Sequence, residues 1–301
     1  MKLKFVALVA IFALTAVFGF SFAEVMPAGG ESDQQISDFS LAGYGERGKK
    51  TWDIAGKTAD IFADKINLEQ IVGNMYGDEN IRLTADKGNF NKVEGKIHLE
   101  QDVVITTGSG AKLTTDSLDW DRKNDVVTTK DKVNIVRDNL VADAVGATGR
   151  PALSKVNLEK EVTVQILPQN NKDKDPPPEV TKTGEGKVVI TCDGPLSIDY
   201  EKNLATFNTN VKVERQDAQI YSDRMDVYFS RNAQTDGNKP GIMNSKIDKI
   251  IAQGNVKIVR GENVSYSDEA IYSALENKIT LLGRPKLILY STEKIDASFG
   301  N

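Results

Sequence analysis

The sequence of 301 residues holds one cysteine, Cys192, and one histidine, His98. A lone cysteine excludes a disulfide within the chain and a cysteine-rich metal site. A lone histidine excludes a histidine cluster, so no metal ligands are assigned. Cys192 closes the apolar run Val188–Cys192 and is expected to be a small buried core residue, not a nucleophile. His98 sits between Ile97 and Leu99, which place it on the opposite, wetter face. The Gly-x-Ser-x-Gly elbow, the phosphate loop and the dinucleotide fingerprint are missing, and no Ser or Cys motif completes a triad. Carboxylates are plentiful, but nothing selects a pair for glycoside hydrolysis. No catalytic residue and no cofactor are assigned, and the expectation is a protein that is not an enzyme. Charge of one sign is lacking too: 38 basic and 43 acidic residues are mixed along the chain, for a net charge of -5. Nucleic-acid binding, which needs a concentrated basic face, is not expected.

Long hydrophobic runs are confined to the N-terminus. Lys2 and Lys4 precede an uncharged stretch from Phe5 to Phe20, followed by Ser21-Phe22-Ala23, a small-x-small pattern. A cleaved signal peptide and a retained membrane anchor both fit residues 1–23. The preceding lysines stay in the cytoplasm, so either reading sends the rest of the chain outward. No lipobox cysteine is present.

Residues 24–50, rich in Gly, Ser, Asp and Gln, read as a flexible stalk. From residue 51 the pattern alternates. Val162-Thr163-Val164-Gln165-Ile166, Leu196-Ser197-Ile198 and Val211-Lys212-Val213 place apolar residues at every second position, the signature of a strand. Segments are short and separated by turn formers such as Glu201-Lys202-Asn203. Beyond the leader no long 3.6-residue pattern occurs. The expectation is all-β, with one sheet module over 51–167 and another over 187–298. Between them residues 168–186, which include Pro176-Pro177-Pro178, read as a stiff linker.

An internal repeat runs through both modules. A polar residue, a valine, any residue and an aliphatic recur at Asp102-Val103-Val104-Ile105, Lys132-Val133-Asn134-Ile135, Asn210-Val211-Lys212-Val213 and Asn255-Val256-Lys257-Ile258. An aspartate follows each: Asp116, Asp143, Asp223 and Asp268, expected to open the next strand and to accept its own backbone N–H groups at a turn. These acids are too sparse for calcium.

The ordered series Trp52-Asp53-Ile54, Leu83-Thr84-Ala85-Asp86-Lys87-Gly88, Asp102-Val103 and Leu113 to Trp120 resembles the LptC-type protein of the lipopolysaccharide exporter. Leu196 to Tyr200, Ala205-Thr206-Phe207, Ser222 to Met225, Ala252 to Val256 and Leu281 to Pro285 resemble the LptA-type, or OstA-like, bridge family. The resemblance implies two open antiparallel β-jellyrolls in tandem. It also implies a periplasmic carrier, attached to the inner membrane through its N-terminal segment, that accepts lipopolysaccharide from an inner-membrane ABC exporter. Edge strands would pair with other bridge modules. The acyl chains would lie against the inward strand residues: Leu118, Trp120, Ile135, Ile198, Phe207, Val213, Ile258 and Ile279. The plain alternative for each is core packing. A structural β-repeat protein of the envelope without lipid cargo, and an envelope polysaccharide-binding module or hydrolase, are the competing readings.

Overall fold

A computed structural model of the chain describes residues 33–45, 48–77, 80–108, 110–121, 123–137, 139–150, 155–167, 187–231, 245–276 and 278–290. The leader, the 168–186 segment and the 233–241 insertion lie outside the described residues. All the regular structure described is β. The strands are β1 Gln34–Tyr44, β2 Lys50–Ile61, β3 Lys65–Met75, β4 Ile81–Asn91, β5 Lys96–Thr107, β6 Lys112–Asp121, β7 Val126–Arg137, β8 Leu140–Arg150 and β9 Lys155–Ile166. They continue with β10 Val188–Cys192, β11 Leu196–Asp199, β12 Leu204–Glu214, β13 Gln219–Arg231, β14 Ser245–Arg260, β15 Asn263–Ser273, β16 Lys278–Leu282 and β17 Lys286–Ile288.

Pairing is antiparallel and follows chain order from β1 to β9. The short strands β10 and β11 fill one place between β9 and β12. The meander then runs to β15, which pairs with both β16 and β17. One ladder therefore joins the two expected modules through β9.

Most strands of this ladder bend in the middle. The register shifts at Glu100/Val103 on β5, Thr129/Lys132 on β7, Asn208/Val211 on β12 and Gln253/Val256 on β14. Left-handed backbone marks the corners of β3, β5, β9, β12 and β14: Gln70, Asp102, Glu161, Asn210 and Asn255 all have positive φ. Asn and Asp tolerate that region better than β-branched residues, and a bulge there bends the strand. The residue after each corner turns inward and is fully or almost fully buried: Ile71, Val103, Val162, Val211 and Val256 are at most 2% exposed, as is Val133. Each has a small register partner: Ala85, Thr115, Cys192, Ser222 and Ser267, with Ala144 opposite Val133. The sequence repeat is thus a corner device, large against small, and Cys192 fills one of its small positions.

The structure corrects two expectations. Asp116, Asp143, Asp223 and Asp268 lie mid-strand at the register shifts instead of opening strands. Where their side chains are bonded, the donor is a cross-strand amide: Asn134 donates to Asp143 at 2.7 Å and Asn255 to Asp223 at 2.8 Å. The supposed stalk contains β1, which pairs with β2 through ten positions from Gln34↔Ile61 to Tyr44↔Lys50. Its side chains are mostly exposed. Edge pairing is made by backbone groups, so it leaves little alternation to read.

Candidate functional site

The bends divide the sheet into two facing arms, and rows of register partners run across each. On the first arm one apolar row begins with Ile61, Ile66 and Phe90 on β2 to β4. It passes through Ile97, Trp120 and Val127 to Gly149 and Val156. From β9 it continues through Ile198, Ala205, Val227, Ile250 and Tyr272 to Ile279. No strand from β2 to β16 interrupts it, with β11 standing for the split strand. A second row, nearer the corner, runs Leu158, Leu196, Phe207, Met225, Ala252 and Ala270. On the second arm a third row joins Ile105, Leu113, Ile135, Ala142 and Val164, then Ile190, Val213, Ile220 and Ile258. Side chains from both arms share the same apolar clusters, so the arms pack face to face.

Seven of the eight candidate residues fall on these three rows, and Leu118 lies beside them. Trp120, Ile198 and Ile279 occupy the first; Phe207 lies on the second, with Leu118 at the corresponding depth beside Leu99; Ile135, Val213 and Ile258 occupy the third. Leu118, Trp120, Phe207 and Val213 are buried, and Ile135, Ile198 and Ile258 are half-buried. Ile279 differs: it is 51% exposed, on the last strands of the sheet. The residues that sequence reasoning left out are mostly register partners of those it chose, among them Phe90, Ile97 and Val156 beside Trp120 and Ile198. Each was visible as an apolar residue in an alternating run, but only register ties it to the row.

Depth varies across the rows. The corner residues and Leu83 and Ile105 are almost inaccessible. The first row is shallower, with Ile66, Phe90, Ile97, Val156, Val227 and Ile250 all half-buried. It forms the accessible margin of the apolar interior.

The outer faces are polar. Asn67, Asn89, His98 and Asp119 are successive register partners alongside the first row. The Nδ1 of His98 lies 2.7 Å from Asp119 Oδ1. On β2, Asp53 accepts hydrogen bonds from Asn74 at 2.7 Å and Tyr76 at 2.8 Å, with Lys50 at 2.5 Å. The Asn74 bond first, then Lys50, holds its carboxyl down at about 2. Burial pushes the Cys192 thiol up, as suits a core position. A depression of about 560 Å³ opens at the corners of β5 to β9, lined by Asp102, Asp116, Lys132, Asp143 and Glu161 among others. Its charged lining does not suit an acyl chain. Among the described residues no group of His, Cys, Asp or Glu is arranged to hold a metal.

Residues 6–167 match the family described as lipopolysaccharide-assembly, LptC-related. That match spans more than half of the sequence. The chain belongs to the LptC-related lipopolysaccharide-assembly family. Residues 194–298 match a second family, described as LptA/(LptD N-terminal domain) LPS transport protein. No curated protein matches the chain. The matches bear out the LptC-like and LptA-like resemblance, in the order expected, and they assign the chain to lipopolysaccharide transport. In the LptC-related part the first apolar row is formed by β2 to β9. In the LptA-like part it is formed by β11 to β16.

Proposed function

We propose that this chain is a periplasmic carrier that accepts lipopolysaccharide from an inner-membrane ABC exporter and passes its acyl chains along the apolar interior towards the outer membrane. The observation that carries this reading is the first apolar row, in register from Ile61 to Ile279 across both family matches. A half-buried apolar margin offers acyl chains a place to lie. Each methylene removed from water contributes about 0.8 kcal/mol, so several chains are held tightly without a covalent bond. The hydrophobic N-terminal segment supports attachment to the inner membrane.

The sheet edges support the choice of protein partners. Among the described residues β1 pairs only with β2, and β16 and β17 pair only with β15. Leu282, Leu287, Leu289 and Tyr290 are exposed around the second edge. Other bridge modules would add their strands at these edges.

The almost complete burial of the corner row favours one alternative, a filled structural β-repeat without cargo. A photo-crosslinking amino acid placed in turn at the eight candidate positions separates the two. The carrier reading expects lipopolysaccharide adducts at Trp120 and Phe207 and at most of the others. Adducts at none of the eight overturn the carrier reading.

A further inference from the structure

The rows are continuous, yet the apolar core is not one body. One buried cluster gathers Ile54, Leu83, Leu99, Ile105, Trp120 and Val127. The other gathers Ala142, Leu158, Val162, Leu196, Phe207 and further residues to Ala270, with Ile135 packed against it. The divide runs through β7, inside the residues matched by the LptC-related family, and not at residues 168–186.

Three features coincide at the divide. The β6–β7 ladder has register pairs up to Thr114↔Asn134 and from Asp119↔Thr128, and none between them. Inside that gap two buried hydroxyls meet: Thr115 and Thr129, each 6% exposed, with their Oγ1 atoms 3.2 Å apart. Beside them, Ser117 donates to Asp131 at 2.5 Å. Beyond the gap, β8 gives the three rows and the corner only small residues, Ala142, Ala144, Ala147 and Gly149, with the larger Leu140 packed against the second cluster at its far end. An acyl chain lying across this zone meets hydroxyls already bonded to each other and a wall with few methyl groups to touch. It gains less dispersion there than against Leu99 or Leu158.

We infer that the interior forms two acyl-chain compartments divided at β6–β8, so that β9 serves the second compartment although it lies in the LptC-related match. The inference rests on the carrier reading. β9 is the wall of the second compartment: Val156 is the partner of Ile198, and Leu158 of Leu196.

The test uses the purified full chain, lipid A as probe, and a photo-crosslinking residue at Ile97 or at Ile198, both half-buried on the first row. Val156→Trp adds bulk at a half-buried site, and Val156→Phe repeats the test with a smaller ring should the first variant fold poorly. The expected result is at least a tenfold loss of adduct at Ile198 with adduct at Ile97 unchanged. Ile66→Trp should give the converse. Loss at both positions from either substitution overturns the divide in favour of one continuous site. Loss at Ile97 alone from Val156→Trp overturns it in favour of compartments that follow the family boundary. No adduct at either position in the unsubstituted chain overturns the carrier reading, and this inference falls with it.

Discussion

The indole of Trp52 lies over Gly43, its cross-strand partner, so closely that a Cβ on that glycine would come within 2.0 Å of Nε1. Phe39 covers Gly56 in the same way across the same two strands, with Cε1 2.6 Å from a Cβ placed there. Two aromatic rings laid on two glycines hold the edge strand β1 against β2, a known means of securing glycine-bearing strands. This contact keeps Ile54 and the first apolar cluster covered at one end of the sheet.

Filling that space should detach the edge. Gly43→Val forces Trp52 out of place and should destabilise the β1–β2 pair by about 1–3 kcal/mol, the usual cost of overpacking. Hydrogen exchange should show β1 amides losing protection while those of β12 to β14 keep theirs. Loss of protection throughout the sheet would mean that β1 is part of the global core.

The corner pairs make opposite predictions for their two members. Val103 is fully buried against Thr115. Val103→Ala should cost about 1.5–3 kcal/mol in denaturant unfolding, from lost burial and the space left behind. Among the described residues the hydroxyl of Ser222, opposite Val211, is buried without a hydrogen-bond partner. Ser222→Ala should therefore be neutral or slightly stabilising, since it removes an unsatisfied group.

At Asn255, φ is +49° and the side-chain amide donates to Asp223. Asn255→Val puts a β-branched residue into left-handed backbone and deletes that bond. A loss of about 1–3 kcal/mol is expected, with most of it recovered in Asn255→Gly. Equal losses in both variants would assign the effect to the bond alone.

Acid stability should report on Asp53. Its folded carboxyl titrates at about 2, below its ordinary value of 3.8. The stability it contributes is fully present above the ordinary value and is lost as pH falls from about 4 towards 2. Asp53→Asn should lower stability at neutral pH and converge with the unsubstituted chain near pH 2. Unfolding curves that stay parallel across that range would show that Asp53 does not titrate as its contacts require.

Much of the fold was legible because strand alternation is local. Val162 to Ile166 and Val211 to Val213 announce their faces within a few residues, and the repeated valine is legible as a repeat, whereas register and backbone φ make it a corner. Candidate lining residues were legible by the same rule, since an inward face is every second side chain. Ile279 shows its limit: alternation assigns a face, not its cover, and among the described residues no strand pairs with β16 on its outer side. The aspartates were read as strand openers because polar residues between apolar runs look alike at a turn and at a mid-strand bulge.

By itself, then, the sequence determined an all-β chain, its two family halves, its valine repeat and the apolar side of each strand. These depend on side chains near in sequence. Tertiary structure decided that residues 34–44 join the sheet, that one ladder crosses both halves through β9, and that the apolar core divides at β7. Those outcomes rest on backbone pairing and on register between distant strands. A shift of one residue in register would turn each face over without changing a letter of the local pattern.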